Sequence, residues 1–66
     1  MFIIIGCLGS VVAEVNSTDE AIKSVLSQIP LGNKKQRTLA NAIERLAIGS
    51  EYHVEYGGSG CTVRRL

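Results

Sequence analysis

Three side chains in this 66-residue sequence carry a thiol or an imidazole, the groups that serve as strong nucleophiles, bases and soft metal ligands: Cys7, Cys61 and His53, the single histidine. A Cys–His nucleophile pair needs its two side chains in hydrogen-bond contact and a third group that orients the histidine. We expect His53 and Cys61 on opposite faces of one sheet, because alternate residues of paired strands point to opposite sides. The spacing also matches no Cys-x-x-Cys or His-x-x-x-His zinc motif. We therefore predict no catalytic residue, no metal site and no cofactor.

Two other segments contain the residue types of a ligand site or an acid–base site. Segment 57–60 reads Gly-Gly-Ser-Gly, but it lacks the following Lys-Ser/Thr and the helix start that a phosphate-binding loop requires. Glu51 and Glu55 share one face of a predicted strand. Arg64 is expected beside these two glutamates. This arrangement favours a solvent-exposed face of ion pairs over a pair of catalytic acids. The sequence thus predicts a protein that is not an enzyme and that takes no small-molecule substrate.

Basic and amide side chains open the second predicted helix: Lys34, Lys35, Gln36 and Arg37. Cations in a first turn oppose the helix dipole, and this unfavourable placement indicates a use for the charges. The segment also has the outline of a helix-turn-helix, in which the start of the second helix contacts DNA bases. A C-terminal hairpin carrying Arg64 and Arg65 would be its wing. The alternative is a solubilising charged end on a surface helix.

Length and composition narrow the function classes further. A chain of 66 residues makes one small domain with a thin core, and its 45% apolar and 20% charged content is typical of globular chains. Seven Lys and Arg against six Asp and Glu give a formal charge of +1, which argues against binding nucleic acid or membrane by charge alone. The charge is polarised, since residues 34–66 carry six basic and three acidic side chains and residues 1–33 carry one and three.

The N-terminal segment and the cysteines bear on the compartment. The apolar stretch 2–13 has no basic residue before it and is shorter than the ~20 residues that span a bilayer. We therefore predict a buried strand, no membrane contact and a cytoplasmic location.

Two cysteines are fewer than a small secreted scaffold usually carries, which favours reduced thiols. A disulfide between Cys7 and Cys61 is the alternative.

The N-terminal pattern predicts a first hairpin. Phe2–Ile5 is aromatic and β-branched, as strands are. Glycines follow it, and Val11–Val15 then alternates, with Val11, Ala13 and Val15 on one face. One long strand with a glycine kink is the alternative.

The C-terminal segment 51–66 predicts a second hairpin, with Gly58-Ser59 as the central pair of a type II′ turn. This register makes three cross-strand pairs: Val54 with Val63, Tyr56 with Cys61, and His53 with Arg64. It also places Arg64 close to Glu51 on the polar face, where opposite charges support pairing.

Two helices are predicted between the hairpins. Ser17 and Glu20 form a capping box at the first helix, with Thr18 as the alternative cap, and Pro30 ends the helix. Asn33 is the predicted cap of the second helix, and Gly49 is expected in a left-handed conformation just past its end. Apolar residues at helical spacing form one stripe on each helix: Ile22, Val25, Leu26 and Ile29 on the first, and Leu39, Ile43 and Leu46 on the second.

The order is therefore ββααββ, and we predict an α+β domain over residues 1–66, with an antiparallel sheet of about four strands and both helices on one face. Two short helices cover only one face, so Ile3, Ile5 and Val12 are expected on the other. Exposed apolar patches tend to be interaction sites. The alternative is that a loop or the C-terminal Leu66 covers them.

These observations support two functional hypotheses. The first is a non-enzymatic protein-interaction module, a homodimeric inhibitor or regulator with Ile3, Ile5 and Val12 at an interface between copies or with a protein partner. The basic side chains of the second helix would steer an acidic partner surface, and the length suits the small regulators that mobile elements encode. The second is a nucleic-acid-binding regulator that uses the polar residues Lys34, Lys35, Gln36, Arg37, Arg64 and Arg65.

Overall fold

The computed structural model describes residues 1–6 and 8–66, so a Cys7–Cys61 disulfide lies outside the described residues. The strands are β1 (Phe2–Ile5), β2 (Val11–Val15), β3 (Glu51–Tyr56) and β4 (Ser59–Arg65), and the helices are α1 (Thr18–Gln28) and α2 (Asn33–Glu44). The strands form one antiparallel sheet in the order β2-β1-β4-β3. The predicted α+β class and ββααββ order are confirmed.

The first two strands form a hairpin with a β-bulge. Ile4 lies opposite Ala13, but Ile5 lies opposite Val11, so Val12 is the extra residue of β2. An extra residue shifts the two-residue alternation of side chains by one position. The prediction that Val11 shares a face with Ala13 and Val15 is therefore wrong: Val15 is buried and Ala13 packs on the core, whereas Val11 is exposed.

Helix α1 begins at the predicted cap. The Ser17 hydroxyl accepts a hydrogen bond from the Glu20 backbone N–H at 3.2 Å, and it also lies 3.2 Å from the Glu20 carboxylate, to which it donates. The helix ends at Gln28, just before Ile29 and Pro30, because proline cannot continue the backbone ladder. Its fully buried residues are Ala21 and Val25, with the predicted stripe residues Ile22 and Leu26 only partly buried beside them.

Helix α2 departs from prediction at both ends. Its N-cap is Gly32, and Asn33 is the first helical residue, so the predicted Asn33 cap is wrong. Gln36 instead reaches back with its side-chain amide and donates to the Leu31 carbonyl at 2.8 Å. Gly49 does have a left-handed φ of 87°, but it lies in a turn beyond the helix end, where the Ser50 N–H donates to the Ala47 carbonyl.

The second hairpin has a different register from the predicted one. Its turn is centred on Gly57 and Gly58, whose φ angles of 56° and 84° are those of a type I′ turn. Strands β3 and β4 therefore pair as Tyr52 with Val63, His53 with Thr62, and Val54 with Cys61. The predicted pairs were displaced by two residues, which leaves every side chain on its predicted face because the alternation also has a period of two.

The helices cover one face of this sheet. Helix α1 contacts β1, β2 and β4, and α2 contacts β3. The side chains buried between the layers are Phe2, Ile4, Val15, Ala21, Val25, Ile29, Leu31, Leu39, Ile43, Leu46, Cys61 and Val63. All three residues of the apolar stripe predicted for α2 (Leu39, Ile43 and Leu46) are buried in this core. The opposite face of the sheet, here called the open face, is not covered by either helix.

We predict that Ser17→Ala destabilises the protein by about 1 kcal/mol, because the Glu20 N–H loses its cap acceptor. Urea unfolding followed by circular dichroism measures the change. Ser27→Ala is the matched control, since Ser27 lies in the same helix and its hydroxyl donates to the Ser24 carbonyl, not to a helix-end N–H. An equal loss in both variants would contradict the capping role.

We predict that Gly60→Ala destabilises the protein by at least about 2 kcal/mol. Gly60 has a φ of 155°, and an added Cβ would collide with the Val54 carbonyl across the hairpin. Gly9→Ala is the control, because Gly9 also has a positive φ (81°) but nothing within 4 Å of such an atom. Urea midpoints that fall equally in both variants would show that this close approach is unimportant.

Candidate interaction surfaces

His53 and Cys61 lie on opposite faces of the sheet, as predicted. His53 is opposite Thr62, and its Nδ1 lies 3.1 Å from the Thr62 hydroxyl on the open face. Cys61 is opposite Val54 and is buried under the helices. No group of three or more potential metal ligands occurs in residues 1–6 and 8–66. The segment 57–60 forms a hairpin turn and the start of β4.

The open face is mixed rather than apolar. Ile3 lies between Glu14 and Arg64, and Glu51 follows Arg64 in the same row across the sheet. Ile3 is therefore partly buried among charged neighbours. Arg64 sits directly opposite Glu51, a position in which opposite charges favour pairing.

A second row on the open face begins with apolar residues. It runs from Val11 through Ile5 and Thr62 to His53. Ile5 is partly buried and Val11 is 57% exposed. The isoleucines therefore form a smaller apolar patch than the sequence suggested, since neighbouring strands cover part of both.

Three exposed apolar residues, Leu8, Val11 and Val12, lie close together at the start of β2, whereas Met1, Ile48, Tyr56 and Leu66 are exposed elsewhere. Leu8 is 91% exposed and Val12 is 45% exposed. Both line a shallow groove of about 110 Å³ together with Gln28 of α1. Val12 thus lies toward the helix side of the sheet, and not beside Ile3 and Ile5 as predicted, because the bulge has shifted it. We call Leu8, Val11 and Val12 the apolar end of β2.

The predicted charged surface divides into separate parts. Lys34, Lys35 and Arg37 are exposed at the start of α2, as predicted. Gln36 is partly buried, and its side-chain amide donates a hydrogen bond to the Leu31 carbonyl. Gln36 therefore stabilises the fold and is not part of that surface. Arg64 lies on the open face.

Arg65 lies at the other end of α2 and has a structural role. Its guanidinium donates to the Leu46 carbonyl at 2.9 Å and stacks 5.8 Å from the centre of the Phe2 ring. The start of α2 is a full helix length away from Leu46. The structure therefore does not join Arg64 and Arg65 to the cluster at Lys34 in one basic surface, as a helix-turn-helix with a wing would need.

A larger groove lies between α2 and the outer strand β3, and sequence reasoning missed it. Its volume is about 220 Å³, and it is lined by Leu31, Lys35, Thr38, Leu39, Tyr52, His53, Val54 and Glu55. The side chains of Tyr52 and Val54 face the helices, where they are partly buried against the core. The alternating pattern of β3 predicts which residues face the helix, but the gap between them depends on where α2 crosses the sheet edge.

Neither helix of the described chain is long and apolar enough to cross a membrane. Comparison of this chain with protein families, with curated proteins and with solved structures finds no match.

Proposed function

We propose that this chain is a non-enzymatic protein-interaction module, a small regulator or inhibitor that acts as a homodimer by binding a protein partner. The observation that carries the proposal is the apolar end of β2. Three apolar residues close together in the chain are exposed there: Leu8 in the turn before the edge strand, and Val11 and Val12 on the two sides of that strand. Exposed apolar side chains at a sheet edge, where the backbone can also pair with another chain, tend to be interaction sites.

A second copy of the chain fits this surface on electrostatic grounds. The groove beside Leu8 and Val12 is otherwise lined by Gly6, Ser10 and Gln28, none of which is charged. The whole chain carries a formal charge of only +1. Two copies therefore bring no like charges together in this groove, and their overall repulsion is weak.

Self-association also compensates for the size of the domain. A chain of 66 residues buries only about 60% of the surface that its unfolded form exposes. Burying Leu8, Val11 and Val12 between two copies enlarges the apolar area removed from water. The exposed cations Lys34 and Arg37 then remain available to steer an acidic region of a protein partner.

We predict that the wild-type protein has twice the 7.1 kDa chain mass in light scattering, at low and high salt and with or without reductant. Val11→Asp should reduce the mass to that of a monomer, because a buried unpaired carboxylate opposes association. Ile48→Asp is the matched control, since Ile48 is 75% exposed but lies in the turn at the opposite end of the sheet. A monomeric wild type, or a dimeric Val11→Asp variant, would contradict the proposal.

A nucleic-acid-binding regulator is the second candidate, and the exposure of Lys34, Lys35 and Arg37 favours it. If these cations bind phosphates, the affinity for a DNA duplex falls steeply as salt rises. On the first proposal, we expect the triple change of these residues to Ala to leave retention on a DNA column unchanged at low salt. A large loss of retention in the triple variant would favour the second candidate.

A further inference from the structure

Strand β3 is an open edge of the sheet. Within the described chain its single neighbour is β4. The Arg65 N–H donates to the Ser50 carbonyl at 3.0 Å, and hydrogen-bonded pairs alternate along an antiparallel ladder. The backbone groups of Tyr52 and Val54 therefore point toward β4. Those of Glu51, His53 and Glu55 point outward and are available to a further strand.

The groove described above runs along this same edge. His53 and Glu55 line it on the sheet side, and Lys35 and Thr38 of α2 line it on the helix side. Its floor is apolar, with Leu39 buried and Val54 partly buried. An extended peptide at this edge would place every second side chain in the groove. Those side chains must be apolar, because the floor has no charged residue and a cation there would meet Lys35.

The other side of such a peptide would meet acidic residues. The side chains of Glu51 and Glu55 are exposed on the open face of β3. Glu55 lies opposite Gly60, which offers no side chain, whereas Glu51 lies opposite Arg64. Lys or Arg at the alternate peptide positions would lie directly opposite these carboxylates and pair with them. Arg64 lies opposite Glu51 in the same way on the other side of β3.

The charges of β3 disfavour symmetric pairing with a second copy of β3. In a two-fold antiparallel pairing centred on His53, Glu51 of each copy would lie opposite Glu55 of the other. Like charges directly opposite each other destabilise strand pairing. The charge of this edge thus selects a different segment and separates it from the self-association surface at β2.

We propose that β3 binds an extended segment of a partner protein, in which apolar residues alternate with Lys or Arg, as a fifth strand of the sheet. The segment's backbone pairs with Glu51, His53 and Glu55, its apolar side chains enter the groove beside α2, and its cations lie against the two carboxylates. This inference deepens the proposed function, on which it rests, by assigning a surface to one basic segment of the protein partner, separate from the acidic region that Lys34 and Arg37 would steer.

The probe is the acetylated and amidated peptide Lys-Val-Lys-Val-Lys, titrated into the ¹⁵N-labelled full chain. We expect the backbone amides of Glu51, His53 and Glu55 to shift and to exchange more slowly with solvent, because they become donors to the peptide. The control peptide Lys-Lys-Lys-Val-Val has the same composition and charge without the alternation. It should bind at least about tenfold more weakly, since it cannot place apolar and basic residues on separate faces.

Two variants at one position separate backbone pairing from side-chain contact. His53→Pro removes an outward N–H that the ladder to β4 does not use, which edge strands tolerate. His53→Ala removes the side chain and keeps that N–H. We expect His53→Pro to lose about tenfold or more in affinity and His53→Ala to lose about twofold or less. Glu55→Lys, which leaves the backbone intact, should also weaken the alternating peptide and is the second test if His53→Pro does not fold.

Three results would overturn the inference: no binding of the alternating peptide, equal binding of both peptides, or shifts that centre on α2 or β2 instead of β3. In the first case the two carboxylates serve only to keep other strands off the edge. The mass of the protein in light scattering reports on the proposed function separately. A dimer that fails to bind the peptide would refute the assignment of β3 alone.

Discussion

The pairing of β1 with β4 is the interaction on which the rest of the structure depends. These are the two central strands, and each also holds one outer strand. Ile4 and Val63 lie opposite each other at the centre of the pair, and both are completely buried. An isolated two-stranded hairpin is at best marginally stable in water. The β1–β4 ladder therefore converts two such hairpins into one sheet, with a continuous apolar face for the helices.

The two edges of this sheet differ in chemistry. At the β2 edge, a bulge places Val11 and Val12 on different sides of the strand, and the groove beside Val12 is lined by uncharged residues. At the β3 edge, glutamates alternate with residues that face a groove under α2. Both our proposals follow from this difference, since an uncharged apolar edge suits an identical copy and an acidic edge suits a basic segment.

The features that were predictable from sequence are those specified by neighbouring residues. The Ser17 cap and the stop before Pro30 each depend on a few adjacent side chains, and both bounds of α1 were predictable. The alternation in β3 placed His53 and Cys61 on opposite faces even though the register was wrong. Register was the weaker inference, because the four residues 57–60 offer more than one pair that contains glycine as a turn centre.

Other features depend on residues far apart in the chain. The strand order and the contact of Arg65 with Leu46 bring distant segments together. No local pattern marks them. Arg65 shows the difference clearly. The sequence suggested that it belongs to a basic surface, whereas in the fold its guanidinium donates a hydrogen bond to the Leu46 carbonyl beyond the end of α2. The groove beside β3 was unpredictable for the same reason, since it depends on where α2 crosses the edge.

The β1–β4 ladder also has a consequence for synthesis on the ribosome. Ile5 pairs with Thr62, so the partner of β1 is translated 57 residues after it (62 − 5). At roughly 5–20 residues per second, β1 waits about 3–12 s for β4 to be made. During that interval the backbone of β1 lacks the strand with which it pairs at the centre of the sheet. The central strand pair of the sheet therefore forms only after β4 has been translated.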